Sequence, residues 1–171
     1  LWEFPLAFWL ERRGYDVTYV SGLDTHRDGE GLLRAKAFIS VGHDEFYSRR
    51  MFESLARARD AGVSLAFLGG NGVDGEIAIE PASDGRPDRS FQRAPGHPDT
   101  NEFDDEHLLM GATSYGVGLG DWTVRRPEHW LFAGTGLGLG DSIPSLVGWE
   151  YHGPPLRDDP TLVVLASGKV W

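Results

Sequence analysis

Three adjacent ionisable residues, His43-Asp44-Glu45, follow the apolar run Ala37–Val41 and a glycine. Such a run predicts a buried strand, and open α/β sheets bind their ligands at the carboxyl ends of parallel strands. A histidine beside carboxylates is held in one tautomer and can act as a general base, or ligate a metal with a carboxylate behind it. The structural alternative is that Asp44 or Glu45 caps the turn and His43 is a hydrogen-bonded core residue.

The next apolar run, residues 63–68, ends in Gly69-Gly70-Asn71. A strand that enters a tight glycine turn resembles the place where α/β hydrolases and amidotransferases put a nucleophile. Asn71 cannot perform nucleophilic attack, but its amide can donate a hydrogen bond to a substrate oxygen. The residue type favours the structural alternative, a left-handed turn residue, because Asn tolerates that conformation.

A third candidate is Glu128-His129, followed by a glycine-rich run. We predict a strand over residues 129–132, on which neighbouring side chains point to opposite faces, so only one of the two can join a given site. The glycine-rich run lacks the lysine and the strand–helix context of a phosphate loop. No H-x-x-x-H or H-E-x-x-H spacing occurs in the sequence, which argues against a histidine-rich zinc site.

The elements that position these residues alternate between helix and strand over the first 72 residues. Such alternation with short connections predicts right-handed crossovers and a parallel sheet. We predict Ser48 as the N-cap of a helix whose core-facing stripe includes Phe52 and Leu55. The predicted elements in order are a helix that ends at Arg12-Arg13-Gly14, a strand over residues 15–20, a polar turn over 21–28, a short helix over 30–35, the strand Ala37–Val41, a helix over 49–61 and a strand over 63–68.

The second half of the chain differs in composition, because glycine-rich turns separate short predicted strands. We therefore predict an α/β fold of three layers, with a mostly parallel sheet flanked by helices and an irregular β-rich second half. Residues 1–171 form a single domain in this prediction, with 1–72 as the α/β core half and 73–171 as the loop- and β-rich half. Leu1 opens almost inside a helix and Trp171 closes just after a strand-like run, which predicts a fragment of a longer protein.

Composition excludes several classes of partner. The formal net charge of −10 over 171 residues argues against nucleic acid and against an anionic membrane surface. The chain has no cysteine, so it has no disulfide, thiolate metal site or cysteine nucleophile. This is compatible with a reducing compartment, and we favour a cytoplasmic location. No apolar run approaches the roughly 18 residues that span a bilayer.

Several ordered motifs together resemble one family, and the similarity runs along most of the chain. They resemble the C-terminal domain of the large (beta) subunit of N,N-dimethylformamidase and its uncharacterised relatives. The motifs are Phe4-Pro5-Leu6, Trp9-Leu10-Glu11-Arg12, Gly14-Tyr15-Asp16-Val17, Gly42-His43-Asp44-Glu45, Leu65-Ala66-Phe67 with Asn71, His129-Trp130, Phe132-Ala133-Gly134-Thr135-Gly136 and Gly140-Asp141.

The resemblance implies a core like that of class I glutamine amidotransferases, without their cysteine nucleophile. It also implies hydrolysis of an amide C–N bond at a mononuclear iron held by two tyrosines and one glutamate. These hard oxygen donors suit a Lewis-acidic iron that polarises the carbonyl and activates a bound water. Phe46 stands where the family usually has a tyrosine, so Tyr47 and Glu128 are the remaining candidate metal ligands.

Taken together, the residues and the resemblance predict an amidase-like hydrolase that acts on the C–N bonds of small amides. His43 or Glu45, with Asp44 beside them, would manage protons, and Asn71 would orient the carbonyl. The alternative is a catalytically inactive binding or scaffolding domain of a larger protein, because a fold alone does not imply a working site. In either case we expect an oligomer or a part of a larger chain.

Overall fold

A computed structural model of the protein describes residues 2–93, 106–112, 114–153 and 160–171. The helices are α1 (Glu3–Arg12), α2 (Gly22–Arg27), α3 (Arg49–Asp60) and α4 (Glu106–Met110), with 3₁₀ turns at Gly29–Arg34 and Trp130–Phe132. The strands are β1 (Ala37–Val41), β2 (Phe46–Ser48), β3 (Ser64–Leu68), β4 (Gly75–Glu80), β5 (Ser90–Arg93), β6 (Ser114–Val117), β7 (Gly120–Val124), β8 (Ser142–Val147), β9 (Glu150–His152) and β10 (Ala166–Ser167). Within these described ranges, no helix is long and apolar enough to cross a membrane.

The described strands form small sheets. β1 pairs in parallel with β3, from Ala37 opposite Ser64 to Val41 opposite Leu68. In a second sheet, β4 pairs in parallel with β2 and antiparallel with β5. In a third sheet, β7 pairs antiparallel with both β8 and β10. β6 and β9 form an antiparallel pair. The predicted mixed α/β character is confirmed. The described part of the chain shows separate sheets of two or three strands, so the three-layer sheet expected from the sequence is not confirmed.

The core is built around α3. The predicted apolar stripe is confirmed, because its residues are all buried and pack with Tyr47, Val63 and Val73 from the flanking elements. Leu55 is completely inaccessible to solvent. The stripe consists of Met51, Phe52, Leu55 and Ala58. This packing anchors the helix that follows the candidate acid–base residues, and so fixes the chain on their C-terminal side.

Ser48 is the N-cap of α3, as predicted, and its hydroxyl has two partners. Its Oγ accepts a hydrogen bond from the Met51 backbone N–H at 3.2 Å and lies 2.7 Å from Nδ1 of the buried His26. Ser48→Ala removes both contacts, so we expect the free energy of unfolding to fall by about 1–3 kcal/mol in urea denaturation. Ser48→Thr keeps the hydroxyl and is the matched control. Equal stability of the alanine variant and the unsubstituted chain would contradict this role.

Three local predictions are wrong. Residues 15–20 join no ladder among the described strands and lie mostly exposed. Residues 21–28 hold α2, because Ser21 and Asp24 cap each other's backbone N–H groups and start a helix where a polar turn was expected. Residues 129–132 form a 3₁₀ turn, closed by the bond from the Phe132 N–H to the His129 carbonyl.

Candidate active site

His43 lies just beyond the carboxyl end of β1, with its ring between two carboxylates. Nε2 is 2.8 Å from Oε2 of Glu45, and Nδ1 is 3.2 Å from Oε2 of Glu150. The Nε2 contact is a hydrogen bond, and the Nδ1 contact is an ion pair when the imidazole is protonated. The side chain is 41% exposed. The arrangement is therefore an acid–base cluster that a small molecule in solution can reach.

The cluster depends on close backbone approach between three segments. A Cβ on Gly69 would overlap the carbonyl oxygen of Gly42, in the turn after β1. A Cβ on Gly70 would overlap the carbonyl oxygen of Glu150, at the start of β9. These two glycines therefore allow the end of β3 to lie directly against both the His43 turn and the strand that carries Glu150.

Sequence reasoning missed Glu150. This residue is in the second half of the chain, in the run Glu150-Tyr151-His152, whose glutamate and histidine do not form a recognised catalytic motif. The available signal was the pair Gly69-Gly70, which marks a point where another backbone approaches closely, but a glycine pair does not identify the segment that approaches.

His152, also on β9, supports the same corner of the site. The Gly72 backbone N–H donates to its Nε2 at 3.2 Å, so the neutral ring carries its proton on Nδ1. Burial lowers the pKa of His152 below its ordinary value of 6.5. A neutral His152 therefore joins β9 to the turn that follows β3.

The lowered pKa of His152 predicts that stability falls as the pH falls. Below about pH 6.5 the unfolded chain protonates this histidine before the folded chain does, so the unfolded state binds more protons and gains in population. The free energy of unfolding keeps falling as the pH falls to the pKa of His152 in the folded protein, and below that pH it changes no further on account of this residue. Burial also lowers the pKa of His26, assisted by the nearby Arg50 charge, and this adds in the same direction.

The measurement is urea denaturation at about pH 7.5 and 5.5 for the unsubstituted chain and for His152→Gln, whose side chain can still accept from Gly72. We expect the variant to lose less stability between the two pH values. His129→Gln, at a half-buried position outside this corner of the site, is the control and should keep the full dependence. The same pH dependence in all three proteins would contradict the prediction.

The Asp44 carboxylate makes its described hydrogen bonds with residues next to its own turn and not with His43. Oδ2 accepts from Ser40 Oγ at 2.7 Å and from the Tyr47 hydroxyl at 2.5 Å. The Asp44 carbonyl accepts from the Val73 N–H at 3.1 Å. Asp44 therefore fixes the shape of the turn that presents His43 and Glu45, which makes it a positioning residue in this geometry.

The two predicted metal ligands do not fit the iron site that the resemblance implies. The Tyr47 hydroxyl is buried and donates to Asp44, and burial together with the Asp44 charge raises the pKa of Tyr47 far above its ordinary value, which disfavours the phenolate that iron requires. Glu128 is exposed and lies 3.7 Å from Arg126. Across the described residues, no three His, Asp or Glu side chains are placed to hold one metal ion.

Asn71 has left-handed backbone geometry, with φ of 53°, so the turn role favoured by its residue type is confirmed. Within the described ranges, no hydrogen bond joins its side chain to His43, Glu45 or Glu150. The structure thus brings His43 and Glu45 together, adds Glu150, and places Asp44 and Tyr47 in a neighbouring buried network.

Comparison with known families gives one match that spans almost the whole chain. Residues 1–170 match the family described as N,N-dimethylformamidase beta subunit-like, C-terminal. A comparison with curated proteins found no match. Because the family match covers far more than half of the residues, the resemblance carried by the sequence motifs is confirmed. The chain belongs to the N,N-dimethylformamidase beta subunit-like C-terminal family.

Proposed function

We propose that this chain is a hydrolase of small amides in which His43, Glu45 and Glu150 form one proton-transfer site. The observation that carries the proposal is the position of the His43 ring between two carboxylates, at the carboxyl end of a parallel strand and open to solvent. Membership of a family described by dimethylformamidase supports the choice of an amide C–N bond as the bond that is broken.

Amide hydrolysis needs a base and an acid in one place. The base takes a proton from the attacking water, whose oxygen adds to the carbonyl carbon; the acid protonates the nitrogen as the C–N bond breaks, giving a carboxylic acid and an amine. A doubly protonated His43 is suited to the acid step, because it holds a proton near the substrate nitrogen. Glu45 and Glu150 are suited to the base step, and each stabilises the charge on the ring.

The surroundings of His43 favour a small substrate. The Trp2 ring lies edge-on to the imidazole, with 6.5 Å between ring centroids, and provides an apolar wall beside it. Substituents on the amide nitrogen can pack there while the attacking water lies against the carboxylates. We also propose that β1, α3 and β3 belong to a three-layer, amidotransferase-like core, on the basis of their parallel pairing through a helix.

The experiment is a panel of formamide, N,N-dimethylformamide and acetamide incubated with the intact chain, with amine and acid products followed by NMR. We expect ammonia or amine and the carboxylic acid in equal amounts from at least one formamide. His129→Gln is the matched control, because His129 is a half-buried histidine whose side chain contacts only its own turn in the described hydrogen bonds. No product from any of the three amides would refute the proposal.

The second candidate is a catalytically inactive binding or scaffolding domain. It is favoured by the turn after β3, where Asn71 stands in place of a nucleophile, and by the buried Tyr47 hydroxyl, which is committed to Asp44. The two functions differ in one readout. An inactive domain releases no amine at any pH, while its fold and its thermal transition are those of an intact protein.

A further inference from the structure

A cavity of about 230 Å³ lies between α3 and the segment that joins the end of α2 to the 3₁₀ turn at Gly29–Arg34. None of the residues that line it belongs to the His43 cluster. The volume suits a ligand smaller than a drug-sized molecule. We call it the α2–α3 cavity.

The cavity has a buried polar floor formed by His26 and Ser54. Both residues line it, although only 7% and 4% of their surfaces are exposed. Ser54 Oγ donates to the Arg50 carbonyl at 2.7 Å and accepts from Arg57 Nη2 at 3.0 Å. A Cβ on Gly29 would overlap Ser54 Oγ, so the 3₁₀ turn lies directly against α3. These contacts fix the two walls of the cavity relative to each other.

His26 brings an N–H donor to this floor. Its Nδ1 lies 2.7 Å from Ser48 Oγ, which accepts from the Met51 N–H. Nδ1 is the described acceptor for the buried Ser48 hydroxyl, so the hydroxyl donates to Nδ1 and the neutral ring carries its proton on Nε2. Burial and the nearby Arg50 charge lower the pKa of His26 and keep the ring neutral at neutral pH. Among the described hydrogen bonds, none uses Nε2.

The walls of the cavity carry charges of both signs that do not meet. Within the described part of the chain, no ion pair joins a cation of this lining to a carboxylate of the same lining, and Arg27 pairs instead with Asp88, outside it. Arg50 and Glu53 are three residues apart on α3, a spacing that allows a direct pair, yet they form none. The cations are Arg27, Arg50 and Arg57, and the carboxylates are Asp28, Glu30 and Glu53.

We propose that the α2–α3 cavity binds a small zwitterion of the α-amino acid class. Arg50 and the Nε2–H of His26 are the partners for its carboxylate, because both groups donate hydrogen bonds. Glu53 and Glu30 are the partners for its ammonium group, because carboxylates accept. An anion alone leaves the carboxylates unmatched, and a cation alone leaves the guanidinium groups unmatched. A ligand with both charges is complementary to both.

The test uses the intact 171-residue chain, with L-alanine as the probe and two analogues that each lack one charge. Propionate has no ammonium group, and ethylamine, protonated at neutral pH, has no carboxylate. We expect L-alanine to bind saturably in calorimetry with a Kd of about 1 mM or lower, and to shift the amide NMR signals of residues 26–30 and 50–57. Each analogue should bind at least tenfold more weakly, because it loses one set of charged contacts.

Two variants assign the two ends of the ligand. Glu53→Gln and Arg50→Gln are at exposed positions, so we expect the fold to persist. Glu53→Gln should lower the affinity for L-alanine at least tenfold and remove its advantage over propionate. Arg50→Gln should lower that affinity similarly and remove its advantage over ethylamine. Glu128→Gln, which changes an exposed carboxylate outside the cavity, is the control and should leave binding unchanged.

Three results would overturn the proposal. They are no saturable binding of L-alanine up to about 20 mM, binding of either analogue as tightly as L-alanine, and unchanged affinity for L-alanine in either cavity variant. Equal binding of propionate would identify a site for anions alone. Binding is measured without amide turnover, so the result does not depend on the proposed hydrolase activity.

Discussion

Replacing His43 with glutamine is expected to lower kcat/KM for amide substrates about 100- to 10,000-fold, the usual contribution of a general acid–base residue. Glutamine keeps a side chain that can donate to Glu45 or to Glu150, but it cannot pass a proton to the leaving nitrogen. Because His43 is 41% exposed, we expect the free energy of unfolding to change by less than about 1 kcal/mol.

The measurement combines initial rates on the most reactive formamide with urea denaturation of each variant. His129→Gln is the matched control and should keep the full rate. A His43→Gln protein that retains the rate would remove His43 from the mechanism. A variant that loses stability and rate together would favour the structural interpretation of the His43 turn.

Gly70→Ala is the second substitution with a large expected effect. The added methyl group would overlap the carbonyl oxygen of Glu150, so β9 must move away from the end of β3. We expect a loss of about 1–3 kcal/mol in the free energy of unfolding, typical of overpacking. The Nδ1 side of His43 also loses its carboxylate, so the amidase rate should fall at least tenfold in the fraction that remains folded.

Gly138→Ala is the control for this substitution, because a Cβ on Gly138 meets only ordinary van der Waals contact with Asp141. The two variants are compared by denaturation and by rate at a temperature where both are folded. Wild-type stability and rate in Gly70→Ala would show that β9 does not need this close approach.

Local rules predicted the elements that present the site. The bounds of β1, the Ser48 cap and the buried stripe of α3 follow from residue type and from periodicity over a few residues, and all three are confirmed. The left-handed conformation of Asn71 was predicted by the same kind of reasoning. Asp44 was predicted to be near His43, but its partners were not, because a hydrogen bond to Tyr47 depends on how the turn folds back.

Non-local contacts account for the remainder. Glu150 reaches His43 because β9 lies against the end of β3. This contact joins residues far apart in the sequence, so local sequence patterns do not predict it. Residues 15–20 have a strand composition, yet a strand forms only where another edge is available for pairing. The prediction of Tyr47 and Glu128 as metal ligands rested on residue type. Whether a side chain can bind a metal depends on its burial and on its neighbours, which are Asp44 for Tyr47 and Arg126 for Glu128.

The central claim, that His43 and Glu150 act together in amide hydrolysis, is tested most directly by a double-mutant cycle on the rate of amine release. The four proteins are the unsubstituted chain, His43→Gln, Glu150→Gln and the double variant. Groups that act as one unit are strongly non-additive, so we predict that the double variant is no slower than His43→Gln alone. Single-variant losses that multiply in the double variant, or no amine release by the unsubstituted chain, would contradict the account.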